Sequence, residues 1–196
     1  MILPKMAMQQ KKNNNNSAKR ASGSLPLDSM TKHKDQRVGI LVDAANMYHS
    51  AKNLYKRHVN FKEVLKAAVA DRKLVRAIAY VIRGASNDEE EMFFEALSNQ
   101  GFEVVIKDLQ VFSGGARKAD WDVGIAIDAI KLSEHVDTIV LVSGDGDYIP
   151  LVEYLQAAKG CRVEAMAFRQ TTSSKLIESV DDFISLSDSR KFLIGR

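Results

Sequence analysis

The 196-residue sequence has few of the features that mark an exported or membrane protein. Its one cysteine, Cys161, cannot form an internal disulfide, which suits a reducing cytoplasm. No apolar stretch reaches the roughly 20 residues needed to cross a bilayer, because charged residues interrupt each one. The first residues, MILPKMAMQQ, lack the apolar segment and cleavage site of a secretory signal. These absences predict a cytoplasmic protein that does not associate with membranes.

The excess of positive charge is confined to the start of the chain. Residues 1–36 carry seven Lys/Arg and two Asp, a net charge of +5, whereas the remainder carries 21 basic and 23 acidic residues, a net charge of −2. Residues 9–24 are polar and rich in asparagine, without apolar periodicity, so we expect 1–36 to be a disordered basic tail. Two interpretations of the tail stay open: an arm that binds nucleic acid through its phosphates, or a solubilising extension.

From Arg37 onwards, short apolar runs alternate with amphipathic helical patterns. The first run is VGILV, and helical spacing is clearest over 61–69 and 121–132. Similar apolar runs occur at 74–82, 103–111, 138–142 and 162–168. The alternation predicts an α/β fold, a three-layer α-β-α sandwich with a mostly parallel central sheet. We expect one domain over 37–188 and a short C-terminal tail at 189–196, with function at the carboxyl ends of the strands.

Two groups of aspartates follow predicted strands directly. Asp43 comes after VGILV, and Asp145 and Asp147 come after TIVLV in the loop Ser-Gly-Asp-Gly-Asp. Because parallel strands bring their carboxyl ends to one edge, we expect these acids to lie close together. The glycines of the loop lack Cβ atoms, so a phosphate or a water molecule can approach the backbone. Taken alone, however, this loop is also typical of an ordinary turn.

A third group, Asp120, Asp122 and Asp128, lies at the start of a helical pattern and along it. Acids in the first turn of a helix often serve as caps, but one cap does not require both Asp120 and Asp122. Asp122 and Asp128 are six residues apart, about 600° of helix rotation, so they do not share a face. We therefore expect only one of these two to be a direct metal ligand.

Several carboxylates at one sheet edge raise each other's pKa values unless a cation neutralises them. Magnesium suits such a site, because it prefers oxygen ligands and needs only one or two carboxylates beside waters and phosphates. The sequence does not indicate a structural zinc site, since its histidines are scattered and unpaired with cysteine. These histidines are His33, His49, His58 and His135.

The order of these motifs resembles the NYN domain, in its LabA-like branch. The matching segments are DAANMY, KADWDVGIAID and VSGDGDY, and the likeness runs from about Arg37 to Leu186. The resemblance implies a PIN-like, Rossmann-like fold. It also implies a metal-dependent ribonuclease, an endonuclease of RNA processing or turnover that uses Mg2+ or Mn2+. One departure from the pattern is Asp120-Trp121 before Asp122, where a small or apolar pair is expected.

The resemblance also assigns roles to individual residues. The acids that match the catalytic metal ligands are Asp43, Asp122, Asp145 and Asp147. The positions that match substrate-binding groups are Asn46, Ser143 and Lys118. Asp120 and Asp128 are secondary candidates. In the resulting hypothesis Asp43, Asp122 and Asp145 hold the first metal ion, while Asp147 orients that ion or a second one through water.

Basic and aromatic residues flank these acids. Arg117 and Lys118 lie beside the predicted site and are expected to contact a nucleic-acid backbone, whereas Lys52 to His58 is interpreted as a solvated helix face. Base stacking and core packing explain the flanking aromatic residues equally well. These residues are Tyr48, Trp121 and Tyr148.

Other functions stay open at this level. A phospho-aspartate enzyme or a Toprim-type site fits less of the chain, since Ala45 stands where the former needs a second acid and Asp43 where the latter needs Glu. A non-catalytic regulatory module that binds RNA or a protein is the stronger alternative. The expected partner is RNA, single-stranded rather than duplex, and a homo-oligomer stays open.

Overall fold

The computed structural model describes residues 32–84, 88–111 and 117–195, except for the side chains of Val111, Arg117 and Lys118. Its main strands are β1 (Arg37–Asp43), β3 (Lys73–Arg83), β4 (Glu103–Asp108), β7 (Thr138–Val142), β8 (Arg162–Ala167) and β9 (Asp182–Ser185). They form one six-stranded sheet in the order β4-β3-β1-β7-β8-β9, and each neighbouring pair is parallel. Two antiparallel pairs lie outside this sheet: β2 (His58–Val59) with β10 (Leu193–Ile194), and β5 (Gln110–Val111) with β6 (Arg117–Lys118).

Helices cover both faces of the sheet. They are α1 (Ala44–Tyr55), α2 (Phe61–Val69), α3 (Asp88–Asn99), α4 (Asp122–Leu132), α5 (Ile149–Lys159) and α6 (Ser174–Ser179). Val38, Ile40 and Val42 of β1 pack in one apolar cluster with α1, α2 and α3, while Leu41 packs in a second cluster with α4, α5 and α6. This alternation of side chains confirms the predicted three-layer sandwich. Within the described ranges, no helix is both long and apolar enough to cross a membrane.

Gly39 allows α4 to lie close to the sheet. A Cβ atom at this position would collide with the side chain of Leu132. The glycine in an otherwise bulky strand is therefore explained by helix packing, and α4 is held against β1 along its last turn.

The strand order reverses next to β1. The chain moves outward from β1 to β3 and β4, then returns to place β7 on the other side of β1. In open α/β sheets, such a reversal opens a crevice at the carboxyl ends of the two central strands, where ligands bind. In this sheet the crevice lies where β1 ends at Asp43 and β7 ends at Val142.

Some elements differ from the predictions. The apolar run expected over 103–111 is divided into β4 and β5, and the short elements α6 and β9 were not predicted. Residues 1–31 of the predicted disordered tail lie outside the described residues, so their disorder stays a prediction. Lys32, at the end of that segment, contacts the domain with its Nζ 3.3 Å from Oε2 of Glu164. The short segment expected as a C-terminal tail is packed, since Phe192 is buried and β10 pairs with β2.

Candidate active site

Asp43 stands at the junction of β1 and α1. It is the N-cap of α1, and its Oδ1 accepts a hydrogen bond of 3.0 Å from the backbone N–H of Asn46. The pKa of Asp43 is raised to about 6, first by burial and then by the charges of Asp122 and Asp145, although the Asn46 N–H opposes the shift. The charges of two acids from other elements, Asp122 and Asp145, therefore reach Asp43 at this edge of the sheet.

Asp145 follows β7 and caps a 3₁₀ turn over Gly146–Tyr148. Its Oδ1 accepts a hydrogen bond of 3.0 Å from the backbone N–H of Asp147, and its own N–H donates to Oγ of the buried Ser143 at 3.3 Å. The loop thus holds Asp145 through hydrogen bonds on both sides. The side chain of Asp147 itself is exposed at the rim.

Asn46 connects the two loops that carry Asp43 and Asp145. Its Oδ1 accepts a hydrogen bond of 3.2 Å from the backbone N–H of Gly144, while its own backbone N–H bonds to Asp43. One amide side chain thereby fixes the β1–α1 corner relative to the loop after β7. Asn46 and Ser143 support the acidic loops, and their contact with substrate stays a prediction.

Asp122 is the first residue of α4 and is held by Tyr148. The Tyr148 hydroxyl donates a hydrogen bond of 3.0 Å to Oδ1 of Asp122, and the tyrosine is only 2% exposed. Burial raises the pKa of Tyr148 far above its usual value, and the charges of Asp43 and Asp122 raise it further. The phenol therefore remains a proton donor to Asp122, which is a contact that the sequence did not predict.

Trp121 anchors the first turn of α4. It occupies the N-cap position without a side-chain cap, and its Nε1–H donates to the carbonyl of Val81 at 2.9 Å. Lys107 lies over the indole, 4.4 Å from the ring centroid, and its Nζ donates to the carbonyl of Asp120 at 2.6 Å. A Cβ at Gly124 would lie 2.7 Å from the ring, so the glycine makes room for it. Both Trp121 and Tyr148 pack against the second apolar cluster, and each also donates a hydrogen bond.

The glycines of the loop after β7 make room for another part of the chain. A Cβ at Gly144 would lie 2.8 Å from Oγ1 of Thr172, and a Cβ at Gly146 would lie 2.9 Å from Oγ of Ser173. The backbone N–H of Ser173 also donates to the carbonyl of Gly144 at 3.0 Å. The space next to these glycines, expected to admit a phosphate or a water, is occupied by residues 171–173. The polar TTSS segment gave no signal of this contact because it has no apolar pattern.

Comparison with known proteins decides the family. Residues 37–187 match the family model of the NYN domain. The chain belongs to the NYN domain family. It is similar to the Low amplitude and bright protein LabA of Synechococcus elongatus, with 30% identity over 173 residues, 82% of this chain and 89% of LabA. These matches confirm the LabA-like resemblance and the PIN-like nuclease fold that it implies.

A solved structure agrees with this assignment. The crystal structure of a protein of unknown function from Vibrio parahaemolyticus is similar to this NYN domain, with a TM-score of 0.76 and 33% sequence identity. The match covers 84% of this chain and 100% of the other. The fold of the NYN domain described here is therefore shared along the full length of that protein.

The remaining acids of this NYN domain have different surroundings. Asp128 accepts a hydrogen bond of 2.9 Å from the Tyr80 hydroxyl and lies 3.9 Å from Nζ of Lys131, so it stands apart from Asp122 on α4. Asp120 is exposed and does not fill the N-cap position considered for it, which Trp121 occupies.

The two basic residues assigned to substrate lie in β6. The backbones of Arg117 and Lys118 pair with Val111 and Gln110 of β5. Their side chains lie outside the described residues. The expected contact of Arg117 and Lys118 with a nucleic-acid backbone therefore stays a prediction.

The donor atoms of this NYN domain suit a hard divalent cation. In the part of the chain that the structure describes, no group of three or more His, Cys, Asp or Glu side chains is already arranged to hold a metal ion. Asp43, Asp122 and Asp145 nevertheless offer carboxylate oxygens, and Mg2+ is usually held by one or two carboxylates with waters and substrate phosphates. The raised pKa of Asp43 also indicates that the described residues compensate its charge poorly. The residues present therefore fit Mg2+ or Mn2+ by donor type and charge.

Proposed function

We propose that this NYN domain is a metal-dependent endoribonuclease that hydrolyses phosphodiester bonds in RNA with Mg2+ or Mn2+. The observation that supports the proposal is the convergence of three acids at the carboxyl edge, where the charges of Asp122 and Asp145 add to burial and the pKa of Asp43 is raised to about 6. The crevice at a reversal of strand order is where open α/β sheets bind ligands. Carboxylates there that form no ion pair with the described residues suit a divalent cation, which a substrate phosphate helps to hold.

Each acid has a distinct part in the proposed mechanism. Asp43, Asp122 and Asp145 would hold the cation, and the exposed Asp147 would act at the rim through water. A bound divalent cation supplies charge stabilisation at the phosphate and an activated water at neutral pH. The Tyr148 hydroxyl donates a hydrogen bond to Oδ1 of Asp122 and so orients this carboxylate. Arg117 and Lys118 are the proposed contacts to the RNA backbone.

The test is cleavage of labelled single-stranded RNA with Mn2+, with and without chelator. Asp43→Asn and Asp145→Asn are expected to lower the cleavage rate at least about 100-fold, because even changes to supporting groups around a metal commonly cost 10–100-fold. Asp137→Asn is the matched control, since Asp137 precedes β7 at the opposite edge and pairs with Arg37. Circular dichroism would verify that each variant is folded.

Two results would overturn the proposal. Cleavage that persists unchanged in both site variants would show that these acids do not catalyse it. Tight RNA binding by the wild type without any cleavage would favour the alternative, a non-catalytic binding module on the same fold.

A further inference from the structure

Positive charge gathers on one surface although the chain beyond residue 36 has a net charge of −2. Residues 44–62, which span α1, β2 and the start of α2, contain four Lys/Arg and no Asp or Glu. Pairing of β10 with β2 adds two more cations, from the turn that precedes β10. The basic surface is defined by Lys52, Lys56, Arg57, Lys62, Arg190 and Lys191.

These cations lack the carboxylate partners that other surface cations have. Lys73, Arg76 and Lys159, for example, each form an ion pair with an acid on a neighbouring segment. Over 32–84, 88–111 and 117–195, none of the six residues of the basic surface forms an ion pair. Their charge is therefore available to an external anion.

Aromatic rings lie among these cations. Tyr48 is 36% exposed, and its ring centroid lies 5.4 Å from that of His49 and 6.2 Å from that of His58. Lys52 places its Nζ 3.0 Å from the Tyr48 hydroxyl and 5.2 Å from the ring centroid. Exposed rings beside unpaired cations are the combination with which proteins hold single-stranded nucleic acid, through stacking and phosphate attraction.

The basic surface begins close to the candidate active site. Asp43 caps α1, so Tyr48 lies about 8 Å and Lys52 about 14 Å further along the helix axis, at about 1.5 Å per residue. We infer that this surface, built by α1, β2 and the segment before β10, binds single-stranded RNA and leads it to the acids. The inference rests on the proposed function, because it names the substrate class and path of the same site. It replaces the interpretation of Lys52 to His58 as a merely solvated helix face.

The experiment measures RNA binding rather than cleavage. Fluorescence anisotropy of a labelled single-stranded RNA would be followed with the full chain in chelator, at several salt concentrations. The triple variant Lys52→Gln, Lys56→Gln and Arg57→Gln is expected to weaken binding at least about tenfold at low salt. It should also reduce the slope of log K against log salt by about 2, at about 0.7 per phosphate contact.

The control is a triple variant with the same change in net charge. Lys73→Gln, Lys131→Gln and Lys159→Gln remove cations that lie near carboxylates, so binding should stay close to that of the wild type. Equal loss in both triple variants would overturn the inference, because general charge would then explain binding. Tighter binding of duplex RNA, or of single-stranded DNA of the same sequence, would overturn it as well.

Variants of Tyr48 test whether RNA bases stack on the aromatic ring of the basic surface. Tyr48→Ala is expected to weaken binding about tenfold, while Tyr48→Phe keeps the ring and should bind nearly as the wild type does. Equal affinity of Tyr48→Ala and wild type would contradict stacking on this ring.

Failure of this inference is distinguishable from failure of the proposed function. Loss of binding in the basic-surface triple variant, with no Mn2+-dependent cleavage by the wild type, supports the surface and overturns the nuclease. Cleavage by the wild type, with unchanged RNA binding in that triple variant, overturns the surface and supports the nuclease.

Discussion

Glu164 and Asp43 are both carboxylates on the central sheet, but the charged neighbours of Glu164 are cations and those of Asp43 are other acids. Glu164 in β8 is fully buried and accepts two hydrogen bonds of 2.9 Å from Arg72, while Lys32 and Arg162 each lie 3.3 Å from it. Asp43 at the end of β1 is influenced instead by two further acids and is bonded by a backbone N–H.

The pKa values respond in opposite directions. Burial alone would raise the pKa of Glu164, but the hydrogen bonds from Arg72 and the charge of Lys32 lower it overall. Burial and then the charges of its acidic neighbours raise the pKa of Asp43, to about 6. The first carboxylate belongs to an internal ion pair that stabilises the fold. Among the described side chains, the second forms no ion pair, as expected of a site completed by a ligand.

The largest expected effect is on stability, through the buried ion pair of Glu164. Arg72→Ala removes the main partner of a fully buried carboxylate and should lower the free energy of unfolding by about 3–5 kcal/mol. Urea unfolding would measure the loss. Arg37→Ala, which breaks the exposed pair with Asp137, serves as the control and should cost far less. Equal losses in the two variants would contradict the structural role given to the Glu164 pair.

Asp43→Asn should raise the free energy of unfolding at high pH, because it removes a partly buried charge that forms no ion pair with the described residues. The pKa in the folded protein lies above the ordinary value of 3.8, so the stability contributed by protonated Asp43 is fully present below about pH 4 and is lost as pH rises through about 6. At pH 8 without metal, the asparagine variant should therefore be more stable than the wild type by up to about 3 kcal/mol. The difference should vanish below pH 4. A variant that is less stable than the wild type at pH 8 would contradict this account of Asp43.

Tyr148→Phe should have the smallest effect on stability and a selective effect on activity. It removes the hydroxyl that orients Asp122, at a cost of about 1 kcal/mol. Tyr80→Phe is a matched control, because that buried tyrosine makes the same type of bond to Asp128. Both variants should lose similar stability in thermal unfolding, while only Tyr148→Phe should slow Mn2+-dependent cleavage, by about tenfold. Equal slowing in both would remove the distinction between Asp122 and Asp128.

Local patterns in the sequence were sufficient to predict the layers and to place three acids on their elements. Buried parallel strands appear as continuous apolar runs, so the ends of β1 and β7 were recognisable, and with them Asp43 and Asp145. The helical pattern likewise placed Asp122 at the start of α4. The parallel sheet predicted that Asp43 and Asp145 lie close together. That the charge of Asp122 also reaches Asp43 depends on how α4 packs, which no local pattern encodes.

Contacts between segments that are distant in the chain could not be predicted from local sequence patterns. Glu164 alternates with apolar residues and has the appearance of a solvent-facing strand residue, yet Arg72, far away in the chain, makes its burial possible. Short elements such as α6 and β9 lack a sustained apolar run, and they form because their few apolar side chains pack against the rest of the domain. The bond from Tyr148 to Asp122 and the contact of residues 172–173 with the glycine loop were missed for the same reason.

Calorimetric titration with Mn2+ in the absence of RNA tests most directly whether the acids at the carboxyl edge of the sheet, unlike Asp137 at the opposite edge, bind a cation. We expect wild type and Asp137→Asn to bind Mn2+ alike, and Asp43→Asn and Asp145→Asn to bind it at least about 100-fold more weakly. Binding of equal strength in all four proteins, or no binding by the wild type, would contradict the claim that the acids at the carboxyl edge form a cation site.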